Sequence, residues 1–217
     1  MGTPFSAEEF FAVFVAYNTA VWPLQLGLLA LALGAVVVAF RGSERAGRAV
    51  CAILAFLWIW MGVAYHWLFF ADINPAARLF AGIFVVEGGM LGWLAIRATS
   101  LRFRPALDVC GLAGGLLITY SLVLYPLLGA VVGHRYPAQP TFGLPCPTTI
   151  FTMGLLLWAR PTVPWAVLVV PVLWSVVGTT AVALFGVIED AMLPVAGVVG
   201  GALVVLRDRR RSGPSAL

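Results

Sequence analysis

The chain has 217 residues, 62% of them hydrophobic and only 10% charged, with a mean hydropathy of +1.01. Soluble domains run nearer half apolar and a quarter charged, so the composition excludes an ordinary soluble protein and makes the lipid bilayer the first partner. The net charge of +4 comes from thirteen Arg and no Lys, and these Arg cluster between apolar stretches, where they act as topology signals rather than a nucleic-acid stripe.

The opening "MGTPFSAEEFF" has no basic n-region, so the first residues are expected to stay in the mature protein. Ser6 and Glu9 stand at capping-box spacing, and Phe10, Phe11 and Phe14 suit a helix lying in the membrane interface over residues 1–19. Asn18 and Pro23 mark its join to the first crossing. A helix needs about 20 apolar residues to cross a hydrocarbon core of roughly 30 Å. Stretches meeting or approaching that length are 20–40, 49–70, 79–98, 107–133, 147–159, 164–188 and 191–206. A membrane bundle therefore fills residues 20–206, and 207–217 form a basic tail.

The fifth and seventh stretches are short, so the Arg pattern decides between six and seven crossings. Arg41, Arg45, Arg48, Arg97, Arg102, Arg104, Arg160, Arg207, Arg209, Arg210 and Arg211 fall on one side only if the fifth stretch crosses, leaving Arg78 and Arg135 opposite. The positive-inside tendency then predicts an all-α integral membrane protein of about seven transmembrane helices. Its N-terminus is outside and its C-terminus cytoplasmic, in a multi-pass arrangement in a bacterial inner membrane. Gly88/Gly92, Gly111/Gly115 and Gly197/Gly201 have the GxxxG spacing that permits close helix approach.

The fifth stretch lies within "PTFGLPCPTTIFTMGLLLWAR", residues 140–160. A residue before proline is pushed out of the helical region, so Pro145 and Pro147 are expected to hold Cys146 extended, with the helix starting at Pro147. Fifteen residues from 147 to 161 span about 22 Å, so this helix has to begin below the outer surface. Irregular backbone at that depth is tolerated only inside protein or along a wet cavity. A helix N-terminus there would seat an anion or a thiolate.

The stretch "YPAQPTFGLPCPTTIFTMGLLL", with "FFAVFVAYNTAVWPLQ" and "YHWLFFADINPAA", resembles an uncharacterised bacterial multi-pass membrane family, a domain of unknown function. The resemblance covers nearly the whole chain and implies an envelope membrane protein, with no activity or catalytic residue to carry over.

Among polar residues within the spans, Glu87 comes first. It lies eight residues inside the third stretch, roughly 12 Å deep by helical rise, where a carboxylate is costly and marks an ion path, proton relay or ligand site. His66 stands about one helical turn from it in depth. Asn74, Asp72, Glu189, Asp190, His134, Tyr136, Cys146, Thr148 and Thr149 add polar groups on the outer side. Taken singly, each outer carboxylate reads as a hydrated loop residue. Converged, Glu189, Asp190, His66, His134 and Cys146 would offer mixed ligands to a divalent cation, with His66, Cys146 and Glu189 the metal candidates, although no metal-ligand spacing is present. Cys51 and Cys110 read as apolar fillers, and with two His on the outer side the Trp58, Trp60 and Trp67 cluster makes a poor haem pocket. No cofactor is implied.

No nucleophile, base and orienter assemble from the spacing, so an enzyme is not expected. The residues point first to a small permease or channel-like protein passing a cation, proton or small solute through an outward-facing cavity, with Glu87 gating occupancy. The alternatives are a membrane-embedded thiol protein using Cys146, and a non-catalytic scaffold or receptor.

Overall fold

The computed structural model describes residues 4–97 and 100–212. Residues 1–3 of the N-terminal helical region, Ala98 at the end of the third stretch and 213–217 of the basic tail lie outside the described residues. The described chain is helical apart from one two-residue ladder.

α1 (Ala7–Val21) starts at the expected capping box: Ser6 N donates to Glu9 Oε2 (2.7 Å) and Glu9 N to Ser6 Oγ (3.1 Å). Pro23 breaks it from α2 (Leu24–Ala39), and the two meet at 87°. α3 (Glu44–Trp60), capped by Ser43, widens into a π-turn over Met61–Trp67. α4 (Ala77–Arg97) returns antiparallel, its Gly88 set against Ala55 and Ile59 of α3. α5 (Val109–Thr119), capped by Asp108, passes through a π-turn into α6 (Tyr125–Val132).

α7 (Pro145–Trp158) is the centre of the molecule: all fourteen of its residues but Cys146 are buried. α8 (Ala166–Gly178) and α9 (Thr180–Phe185) follow, then a 3-10 turn (Ile188–Met192), a π-turn (Val195–Gly200) and α10 (Gly201–Ser212). Five helical segments are long and apolar enough to cross a membrane, or six if the bent pair α1–α2 is one span.

α7 starts two residues earlier than expected, and this corrects the extended Pro-Cys-Pro reading. Leu144 is the N-cap, Pro145 opens the helix and Cys146 lies inside it. The first N–H groups of a helix have no intrahelical partner, so two prolines there sacrifice no hydrogen bond. The first backbone bond comes from Thr148 N to the Leu144 carbonyl (3.3 Å).

α5 and α7 approach through glycine. A Cβ on Gly114 would stand 2.6 Å from the Gly154 carbonyl, and one on Gly154 would stand 2.9 Å from that of Gly114. The close contact on α5 therefore uses Gly114 rather than the expected Gly111/Gly115 pair. Trp158 seals its lower end, donating from Nε1 to the Gly111 carbonyl (2.8 Å).

One end of the bundle gathers the basic segments. β1 (Arg102–Phe103) pairs antiparallel with β2 (Ala159–Arg160), Arg102 opposite Arg160, which brings the chain after α4 to the foot of α7. Arg102 pairs with Glu44 (3.0 Å), Arg160 with Asp108 (2.8 Å), and Arg48 Nε donates to the Ala95 carbonyl (3.1 Å). Arg207 Nη1 reaches the Leu157 carbonyl (2.8 Å) while its Nε binds Asp208 (2.7 Å). An arginine thereby satisfies a carbonyl left over at the end of α7.

The perimeter is apolar and the interior holds the polar groups. Leu24, Val37, Ile96, Leu116 and Leu173 are exposed, whereas Asn18, His66, Glu87, Thr149 and Glu189 are buried. That distribution inverts a soluble protein's and suits lipid.

Candidate functional site: an aromatic chamber over Cys146 and Asp190

At the end opposite the arginines, α1 lies across the bundle and roofs a cavity. Phe10 stacks on Phe185 of α9 (4.6 Å between centroids) and meets Phe70 edge-on (5.9 Å), while Phe14 stacks on Tyr65 (6.2 Å). The 87° bend after α1 makes this possible by turning the helix off the axis of α2.

The segment between α6 and α7 is pinned to that roof by Asn18, which is fully buried. Asn18 Nδ2 donates to the carbonyls of Pro137 (2.6 Å) and Gln139 (2.8 Å). Its Oδ1 accepts from Gln25 Nε2 (2.6 Å) and Thr141 Oγ1 (2.8 Å), and its carbonyl from Tyr136 Oη (3.1 Å). Asn18 marked only a helix join in the sequence. It is the clamp that holds the loop.

The partly open chamber has a volume of about 160 Å³. Nine aromatic residues line it, Phe5, Phe10, Phe14, Tyr65, Phe70, Phe80, Tyr125, Trp174 and Phe185, with aliphatic residues and prolines between them. Asn74, Cys146, Thr180 and Asp190 supply polar atoms, and no basic side chain lines it. Asp190 is almost wholly buried and accepts from Tyr125 Oη (2.5 Å). The Cys146 sulfur lies beside the Asp190 carboxyl and the Trp174 indole. Gly178 lies next to both sulfur and indole, and a Cβ there would press on Leu193 Cδ2 at 2.5 Å.

Three of the expected residues, Asn74, Cys146 and Asp190, thus meet in one cavity. Asn74 also caps the chain before α4, accepting from Ala76 N (3.1 Å). Thr148 Oγ1 takes the Gly143 N–H (3.2 Å) and holds the loop entering α7. Thr149 is buried one position further and its hydroxyl is unpartnered.

His66 borders the chamber without opening into it. Its ring is enclosed by Tyr65, Phe70, Phe80, Phe84 and Trp174, closest to Phe84 (4.6 Å), and both nitrogens lack partners. Glu87 lies one turn further along α4 than Phe84, fully buried, and neither carboxyl oxygen has a hydrogen bond. His66 thus meets Phe84, one turn from Glu87 on α4, and no hydrogen bond joins His66 to Glu87.

Glu189 corrects the hydrated-loop reading of the outer carboxylates. It is fully buried, with Oε1 on His134 Nδ1 (2.8 Å), and its carbonyl accepts from Tyr120 Oη (2.7 Å). Gly129 supplies the room, for a Cβ there would stand 2.5 Å from Glu189 Oε1. Asp190 is buried on the adjacent side. Burying two consecutive acids demands a partner for each, and a tyrosine and a histidine from the neighbouring span and loop provide them. Among the described residues no three His, Cys, Asp or Glu side chains form a metal-binding group, so His66, Cys146 and Glu189 are not a ligand set. His66 is shut in by rings and Glu189 is engaged by His134.

The Trp58, Trp60 and Trp67 cluster also disperses. Trp58 binds Thr152 Oγ1 (3.1 Å), Trp60 binds Tyr17 Oη (2.8 Å), and Trp67 is exposed. Trp174 and Tyr125 are site residues that the sequence reading missed. Their signal was position: a tryptophan mid-span, and a tyrosine beside a proline within an apolar stretch.

An all-helical chain with an apolar perimeter, several helices of membrane-crossing length and a partly open aromatic chamber defines a membrane-type helical bundle. The chain belongs to DUF6064, a family of unknown function, which it matches over residues 7–214. No curated protein and no solved structure matches it.

Proposed function

We propose that the protein crosses a bacterial cytoplasmic membrane seven times, with α7 as the fifth crossing, and that it is a small permease whose solute enters the chamber from outside. The observation that carries this reading is the chamber itself. It is a partly open, largely aromatic space at the arginine-poor end, with a buried acid and a thiol at one point of its wall. Ligand sites have this form, mostly apolar with a few convergent polar groups. The gathering of arginines at the opposite end supports the orientation.

Buried polar atoms without partners support a path beneath the chamber. Thr149 lies three residues past Cys146 on α7, and Glu87 three past Phe84 on α4, both running away from the chamber. By helical rise Thr149 lies about 4.5 Å further along α7 than Cys146, and Glu87 about 4.5 Å further along α4 than Phe84. Unsatisfied buried polar groups call for an explanation, and water or a passing solute is one.

The thiol-chemistry alternative is weaker. A reactive thiolate needs an electropositive surrounding, and the charges bearing on Cys146 are those of Asp190 and Glu189.

The test uses Cys146 as a reporter in a Cys51→Ala/Cys110→Ala background. A small membrane-impermeant methanethiosulfonate added to intact cells is expected to modify Cys146, and a reporter fused after residue 212 is expected to be cytoplasmic. Modification only after permeabilising the cells, or an external reporter, would overturn the orientation. Failure of the smaller methyl methanethiosulfonate to modify Cys146 at all would remove the chamber as a solute site.

A further inference from the structure

We infer that the chamber is built for a compact organic ammonium ion. This rests on reading the chamber as a solute site and names its ligand class. Asp190 is the first observation. It is buried in an apolar space, receives hydrogen bonds from neutral groups, and no basic side chain lines the chamber with it. A buried carboxylate without a counter-ion is costly, and a cationic ligand would supply one.

The walls fit the same charge. Quaternary and tertiary ammonium groups are attracted to the faces of Trp, Tyr and Phe. Phe10, Tyr65, Phe70, Phe80, Tyr125 and Trp174 all border the space beside Asp190. Such groups bind without needing donors or acceptors for every contact, which matches a chamber with so few polar atoms. A hydrated metal ion would find the opposite: too few oxygens and too much hydrocarbon.

Size sets the limit. A protein cavity of about 150 Å³ accommodates benzene, so about 160 Å³ admits a ligand of roughly seven non-hydrogen atoms.

The experiment measures binding to the purified full chain in a detergent without an ammonium headgroup, by calorimetry and by Trp fluorescence. The probes are choline, its neutral isostere 3,3-dimethylbutan-1-ol, and tetramethylammonium. Choline is expected to bind about tenfold or more tightly than the isostere, from the cation–π and ion-pair contributions together. Tetramethylammonium, which keeps the cation, is likewise expected to bind more tightly than the isostere. Asp190→Asn is expected to erase the preference for choline, and the wild-type comparison decides the matter even if that variant does not fold. Equal binding of choline and the isostere would overturn the ammonium inference while leaving the chamber as a site for neutral solutes. Failure of all three probes, in protein whose Cys146 is still modified from outside, would likewise sink the inference and not the chamber.

Discussion

Removing the Asn18 side chain should loosen the roof of the chamber without unfolding the bundle. The four hydrogen bonds of that amide join α1 and α2 to the loop before α7. At a net of about 1 kcal/mol each, they hold the loop by about 4 kcal/mol. Gln25 and Thr141 keep their mutual bond (3.1 Å) in Asn18→Ala, and water replaces part of the remainder, leaving an expected loss of about 3 kcal/mol. That corresponds to roughly 150-fold in the equilibrium for opening the roof. The loss stays local, because the packing of α3, α4, α5 and α7 does not pass through Asn18. When opening and closing are fast, the reaction of a covered group follows the open population. The rate at which methyl methanethiosulfonate modifies Cys146, followed by mass spectrometry without Cys51 and Cys110, should therefore rise by about two orders of magnitude in Asn18→Ala. The midpoint of thermal unfolding should move far less than 3 kcal/mol of global loss would require. An unchanged Cys146 rate would refute the reasoning. So would a large fall in midpoint with no added reactivity, which would make Asn18 a support of the whole bundle.

Gly114→Val places a side chain against the Gly154 carbonyl, 2.6 Å from the added Cβ, and should cost about 3 kcal/mol in thermal unfolding; a normal midpoint would mean that α5 and α7 do not touch there. Pro147→Ala should change stability by less than about 1 kcal/mol, since the position needs no N–H partner, and a large loss would restore an extended Pro-Cys-Pro segment. Arg207→Lys should fall in midpoint nearly as far as Arg207→Ala, by about 1–2 kcal/mol, because lysine cannot reach Asp208 and the Leu157 carbonyl together; rescue by lysine would reduce Arg207 to a point charge. Glu87→Gln should fold with an unchanged midpoint and slow choline flux in proteoliposomes at least tenfold, about 1.4 kcal/mol; equal flux would remove Glu87 from the path.

Much of the candidate site was visible as residue types in unfavourable places. Glu87 and His66 stood out because ionisable groups inside apolar stretches are costly, and both are buried, whereas Asp190 reads with Glu189 as a hydrated loop acid. Cys146 stood out from its prolines. What these residues face was not visible. Asp190 and Tyr125 meet across 65 positions of sequence, and Asn18 reaches Gln139 across 121. No local pattern encodes such pairings. Glu189 shows the limit most plainly: two acids in a row between spans look like a hydrated turn, and only the room left by Gly129 and the approach of His134 let the first be buried.

The amino-acid sequence alone determined the membrane class, the helical stretches and the alternation of basic segments, because hydrophobic length and charge are additive along a chain. Tertiary structure alone decided that α7 lies at the centre and starts at Pro145, and that α1 folds across the bundle to roof an aromatic chamber. Those outcomes depend on which faces find each other, and within lipid that choice is made by packing and by paired polar groups, since apolar surface by itself does not distinguish one neighbour from another.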